Sequence, residues 1–147
     1  MEIEIDVSEV VRRLRLQTSD LQGKLEAAVA KGCLIVERDA KRLTPVQSGD
    51  LRRSITHRVS VEGDEVRGEV GTNLFYGPYV ELGTGIFATN GQGRKKGWAY
   101  TNEQGETVWT RGNRPQPFLL PALRQNEAQV KHTIANEIRK SLGGRSR

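Results

Sequence analysis

Residues 19–70 read SDLQGKLEAAVAKGCLIVERDAKRLTPVQSGDLRRSITHRVSVEGDEVRGEV, and the apolar period changes inside this stretch. In the first half Leu21, Leu25, Val29, Cys33, Val36, Ala40 and Leu43 recur every three or four residues. That spacing predicts one apolar stripe on a long helix. Ser19-x-x-Gln22 has the form of a capping box at its start. Pro45 ends it, because proline bars Thr44 from helical geometry. Ser48-Gly49-Asp50-Leu51 predicts a turn followed by a single helical turn. Beyond it the period becomes two. Ile55, His57, Val59 and Val61 alternate with Thr56, Arg58, Ser60 and Glu62. After a turn at Gly63-Asp64, Val66, Gly68 and Val70 alternate with Glu65, Arg67 and Glu69. These runs predict an antiparallel hairpin with one wet face.

Working outward, Ile3 and Ile5 alternate with acids and predict a short strand. Ser8 caps an expected short helix carrying Val10, Val11 and Leu14. Near the other end, Leu120, Leu123, Val130, Ile134, Ile138 and Leu142 form a second helical stripe, weakened at Glu127. Gly143-Gly144 stops that helix, Arg139 and Lys140 suit its dipole, and residues 143–147 form a basic tail with Arg145 and Arg147. The expected architecture is α+β: one domain over residues 1–147, an antiparallel sheet packed by two long helices.

Between these parts lies a stretch with few aliphatic residues. Tyr76-Gly77-Pro78-Tyr79-Val80-Glu81-Leu82-Gly83 predicts one turn of helix, with Pro78 in its first turn. Residues 83–114 hold 7 of the 16 glycines. Trp98–Thr101 and Thr107–Thr110 flank Asn102–Glu106 as the arms of an expected hairpin. Arg94, Lys95 and Lys96 precede it as a small basic cluster. A long connection of this kind is commonly functional, and residues 84–114 are expected to form a protruding arm. Trp98, Tyr100 and Trp109, with the basic cluster, are its expected partner-contact residues.

The net charge of +5 is unevenly spread. Residues 1–83 carry net −2 and residues 84–147 net +7. A basic half fits a nucleic acid, an acidic protein partner or a solubilising surface. No apolar run is long enough to span a membrane, and the acidic start Met1–Asp6 does not resemble a secretory signal. With one cysteine no internal disulfide forms, and Cys33 on the helical stripe reads as a small buried hydrophobe. Two histidines and one cysteine fall short of a His/Cys zinc site. The 91–97 loop lacks the spacing of a phosphate-binding loop. Glu81 has no companion acid for general-base work, and His57 sits in no nucleophile grouping. These candidates give no catalytic, cofactor or metal residue, and carboxylate-only sites stay open in principle. Charge beside stacking aromatics leaves a small basic nucleic-acid-binding module as an alternative.

Three segments, in order, resemble the head–tail joining, or tail-completion, proteins of long-tailed bacteriophages. The first is Thr44–Ile55, where Pro45, Ser48, Gly49, Leu51 and Ile55 match a helix end, a proline, a hydroxyl residue with glycine, and a strand start. The second is Tyr76–Thr84, where Tyr76, Tyr79, Glu81, Gly83 and Thr84 match. The third, Pro117-Phe118-Leu119-Leu120-Pro121-Ala122-Leu123, matches the opening of the last helix through Pro117, Phe118, Pro121 and Ala122. The interval from Thr84 to Pro117 is longer than in compact members. The resemblance implies a non-enzymatic virion protein of the phage neck, without cofactors, that forms a ring of six subunits around a channel crossed by DNA. Its implied partners are copies of itself, the portal adaptor and stopper proteins, and the tail terminator or tail tube. A tail terminator of the same neck is the alternative within the virion.

Overall fold

The computed structural model describes residues 2–5, 19–47 and 49–143. The expected helix from Ser8 to Leu14, Ser48, and the tail arginines Arg145 and Arg147 lie outside the described residues. So does the side chain of Ser19 in the expected capping box. In chain order the elements are β1 (Glu2–Ile5), α1 (Ser19–Leu43), α2 (Asp50–Ser54), β2 (Thr56–Glu62), β3 (Glu65–Gly71), α3 (Gly77–Leu82), a 3-10 turn (Gly85–Phe87), β4 (Trp98–Thr101), β5 (Thr107–Thr110) and α4 (Leu119–Ser141). The fold is α+β, with two long helices and two antiparallel sheets. The chain divides into two compact units, Met1–Asn73 with Phe118–Arg147, and Leu74–Pro117.

In the first unit β3 is the central strand of the sheet, flanked by β1 and β2. The register sets His57 opposite Val70, Val59 opposite Gly68 and Val61 opposite Val66. Paired residues share a face, so the apolar alternation of both strands points one way. That face meets α1, which packs on β2 and β3 and also against α4. Leu25, Ala28, Val29, Cys33, Val36 and Ala40 are buried along α1. Fully burying a side chain of Val or Leu size is worth ~1.5–3 kcal/mol, and this two-sided helix shares the buried core with the sheet and with α4.

Two glycines let the layers approach. A Cβ at Gly68 would lie 2.5 Å from Cys33 Sγ and 2.8 Å from Val29 Cγ1. A Cβ at Gly32 would lie 3.0 Å from Val130 Cγ1 and 3.1 Å from Ile134 Cδ1 on α4. Burial, then the Glu37 charge, pushes the Cys33 thiol up to about 11. It therefore stays protonated and inert, as the small-hydrophobe reading expects. Gly68→Ala is expected to destabilise the protein by about 1–3 kcal/mol. Combining it with Cys33→Ala is expected to recover part of the loss, as measured by denaturant unfolding.

The stripe on α4 differs from the expected one. Leu119, Ala122, Asn126, Val130, Ile134 and Ile138 are its buried residues, whereas Leu120 and Leu142 are exposed and Leu123 is only half-buried. The gap in the pattern is filled by Asn126 and not left at Glu127. Asn126 is buried because its amide is satisfied: Nδ2 donates to Asp39 Oδ2 at 2.8 Å and to Ala122 O at 2.8 Å. Toward the other end of the pair, Lys24 Nζ donates to Ser141 O at 3.2 Å, and Lys31 pairs with Glu137. These contacts fix α1 and α4 as antiparallel neighbours.

Three carboxylates along this framework are held below their ordinary range. For Asp39 the main cause is the Asn126 hydrogen bond, which with Arg38 and Arg42 outweighs burial. At Glu37 burial alone would raise the pKa, but hydrogen bonds and charge from Lys41 and His57 prevail. Glu137 is lowered chiefly by Lys31. A depressed folded-state pKa gives stability that is complete above the unfolded value and disappears as the pH falls through the folded one. Asn126→Ala is expected to cost about 1–3 kcal/mol at neutral pH, because it removes a buried hydrogen-bonded group. The difference from wild type should shrink in denaturant unfolding as the pH is lowered through the folded-state pKa of Asp39, which lies below the ordinary carboxylate range. It should not vanish, because the bond to Ala122 is lost at every pH.

Candidate interaction surface

The first family-like segment is the joint between α1 and the sheet. Thr44 closes α1, its hydroxyl donating to Ala40 O at 2.6 Å just before Pro45. Gly49 takes a left-handed φ of 81° at the start of α2, where a side chain would be strained. Leu51 and Ile55 are buried in the first unit. Ser54, which closes α2, has its hydroxyl 2.5 Å from that of Thr72 beyond β3. This latch was not singled out in the sequence. His57 shares a hydrogen bond with Glu37 and so ties β2 to α1. That is a structural use of the histidine.

The third segment opens α4. Phe118 is the residue before the helix and is fully buried, as are Leu119 and Ala122. Pro121 lies in the first turn, where its missing N–H costs no helical bond. Pro117, exposed, is the last residue of the second unit. Three of the four residues singled out from the third segment, Phe118, Pro121 and Ala122, thus serve the start of a helix.

The second segment and the expected arm form the second unit. Pro78 stands in the first turn of α3, and Tyr76 precedes the helix with its ring edge-on to Phe75 at 5.4 Å. Glu81 is buried within α3. The chain then leaves through Gly83 (φ 77°) and runs beside residues 111–113. Thr84 N donates to Asn113 O at 2.9 Å, Asn113 N to Thr84 Oγ1 at 2.9 Å, and Ile86 N to Arg111 O at 3.0 Å. Here the glycines replace side chains with main-chain contact. A Cβ on Gly85 would stand 2.2 Å from Arg111 O, and one on Gly112 2.2 Å from Thr84 O.

Beyond this crossing β4 and β5 pair Trp98 with Thr110 and Tyr100 with Val108. Asn102 shapes their turn, its Oδ1 accepting from Gln104 N and Glu106 N. Arg94 stacks over the Trp98 ring at 4.7 Å, and Arg114 over Phe87 at 5.0 Å. Lys95 and Lys96 are exposed. Trp98, Tyr100 and Val108 share one face of the hairpin, and Trp109 lies on the other.

The interior of this unit is unusual. Its buried residues are Gly77, Gly83, Gly85 and Glu81, and no apolar side chain between 74 and 117 is fully buried. Four of its seven aromatics instead face water, with Phe75 82% exposed, Tyr79 57%, Tyr100 48% and Trp109 68%, while Tyr76, Phe87 and Trp98 are half-buried. Among the described residues no group of His, Cys, Asp and Glu is placed to hold a metal ion, and no helix is long and apolar enough to cross a membrane. What the unit exposes is an aromatic and basic surface. Gly112→Ala is expected to open the 84–86 pairing with 111–113. Amide hydrogen exchange should show faster exchange at Thr84, Ile86 and Asn113, with little change on α1.

No curated protein and no solved structure matches the chain. A family model does, that of "Bacteriophage HK97-gp10, putative tail-component", over residues 10–83. The match takes in α1, the α2 joint, the β2–β3 hairpin and α3, and with them the first family-like segment and the second as far as Gly83. It ends at Gly83, where the chain enters the glycine crossing and the β4–β5 hairpin. Spanning half of the chain, this match shows that the protein belongs to the HK97-gp10-like family of bacteriophage tail components.

Proposed function

We propose that the protein is a structural protein of the phage neck, forming a ring that joins the DNA-filled head to the tail. On this reading residues 1–147 act as one joining domain, with 84–114 as its arm. Six copies meet head to tail, a heterologous contact that closes when the rotation closes. The ring assembles in the host cytoplasm and stays in the virion between the portal adaptor or stopper and the tail terminator or tail tube. DNA crosses its channel without specific binding. The protein works by shared surface and not by a reaction, and needs no cofactor.

The observation that carries this reading is the inverted unit 74–117, with glycines inside and Phe75, Tyr79, Tyr100 and Trp109 in water. Aromatic side chains bring large contact area at small entropic cost, and exposed apolar groups in this number mark partner sites. The family membership names the kind of partner, other phage virion proteins. The net +7 of residues 84–147 favours an acidic protein face. It is less suited to a DNA channel, where tight phosphate contacts impede passage.

The test is complementation of a phage lacking this gene. Tyr100→Ala with Trp109→Ala is expected to lower the infectious titre at least about ten-fold, the scale of one lost interface anchor. Electron micrographs should then show filled heads and separate tails, while the purified variant melts as wild type does. An undiminished titre overturns the arm as connector. Labelled protein found at the tail end of unattached tails, and not on heads, would replace the neck ring by a tail terminator.

A further inference from the structure

The exposed basic and aromatic side of the β4–β5 hairpin has a counterpart on the first unit. Arg94, Lys95 and Lys96 stand together, all exposed, and none forms an ion pair with another described residue. The Arg94–Trp98 stack places this charge on the hairpin face that also carries Tyr100 and Val108. On the β2–β3 turn the register sets Glu62 directly opposite Glu65, with Asp64 between them in the turn. Like charges directly opposite are destabilising. The nearest compensation is Arg67, 3.9 Å from Glu65, while Glu62 and Asp64 have no ion pair among the described residues. Each surface thus holds like charges that its own chain does not neutralise.

We propose that the occupant of the Arg94–Lys95–Lys96 and Tyr100 surface is the Glu62–Glu65 turn of a second copy of this chain. The argument is charge complementarity. The cationic and aromatic surface is on one unit and the acidic turn on the other, so each copy carries both halves of the contact. A contact between two different patches is heterologous and propagates from copy to copy. The inference rests on the ring reading above and names the contact that would join its neighbours. An acidic patch on another virion protein is the competing occupant.

The experiment uses the full chain and sedimentation velocity at low and high salt. Wild type is expected to associate at low salt and to weaken as salt screens the contact. Glu62→Lys with Asp64→Lys, and separately Lys95→Glu with Lys96→Glu, should each weaken self-association at least about ten-fold, since like charges brought together cost several kcal/mol. An equimolar mixture of the two variants should associate again. In an alternating assembly every reversed loop meets a reversed turn, and every native loop a native one. All the substituted side chains are exposed or at a turn, and unchanged melting of each variant checks folding. If wild type stays monomeric at low salt, or the variants associate as wild type does, or the mixture does not recover, the contact is overturned. Unaltered association in both variants would leave the ring standing with a different interface. The position of labelled protein in the particle tests the ring itself.

Discussion

Helix α1 is buried from two sides, and most of the first unit follows from that constraint. One face must fit the β2–β3 sheet and another must fit α4, so an ordinary amphipathic stripe is too narrow. The chain meets the demand with small residues at the seams. Ala28 is buried, Gly32 sits where Val130 and Ile134 come close, and Gly68 leaves room for the thiol of Cys33 and for Val29. Interiors are packed to the density of organic crystals, so the separation of these layers is set to within a methyl group. The register of β2 against β3 is then locked, because a one-residue slip of either strand would turn its own valines, Val59 and Val61 or Val66 and Val70, away from α1.

Much of this was legible before the structure. The change of period from 3.6 to 2 between Leu43 and Ile55 shows where helix gives way to hairpin, and Pro45 marks the boundary. The phase of α4 was not legible. Leu119 and Leu120 are adjacent, and counting large apolar residues favours Leu120 and Leu123. The true stripe runs through Ala122, too small to weigh in such a count, and Asn126, which counts against burial. A polar residue enters a helix interface when partners across the gap satisfy it, and Asp39, 87 residues away, is invisible to a local pattern. The pair adds direction as well as stability: an amide placed opposite a carboxylate holds α1 and α4 in one register.

The second unit was legible as composition and not as geometry. Seven glycines in 83–114 read as a loop, whereas several of them are contact surfaces. Gly85 and Gly112 bring two main chains together where a Cβ would overlap a carbonyl oxygen. No sequence period announces such contacts, because their partners are peptide groups that every residue carries. The residues that close the crossing, Thr84, Arg111 and Asn113, act mainly through backbone atoms, and only Thr84 stood out beforehand. The paired arms of the hairpin and the aromatics on them were plain, since alternating strands and side-chain identity are local properties.

The two units therefore hold themselves together differently, and the difference bears on function. The first buries most of its large apolar side chains in its own interior, although Leu34, Val46, Leu120 and Leu142 stay exposed. The second closes through main-chain hydrogen bonds worth about 1 kcal/mol each, the fit of glycine against backbone, and two stacked arginines. That economy leaves Phe75, Tyr79, Tyr100 and Trp109 uncommitted. A unit built around an apolar core would have drawn such rings inward and presented a polar rim. A unit closed by backbone keeps its shape while its most adhesive side chains stay outside. In this family of phage tail components, closure by backbone leaves those exposed side chains free to vary without loss of the unit's own shape.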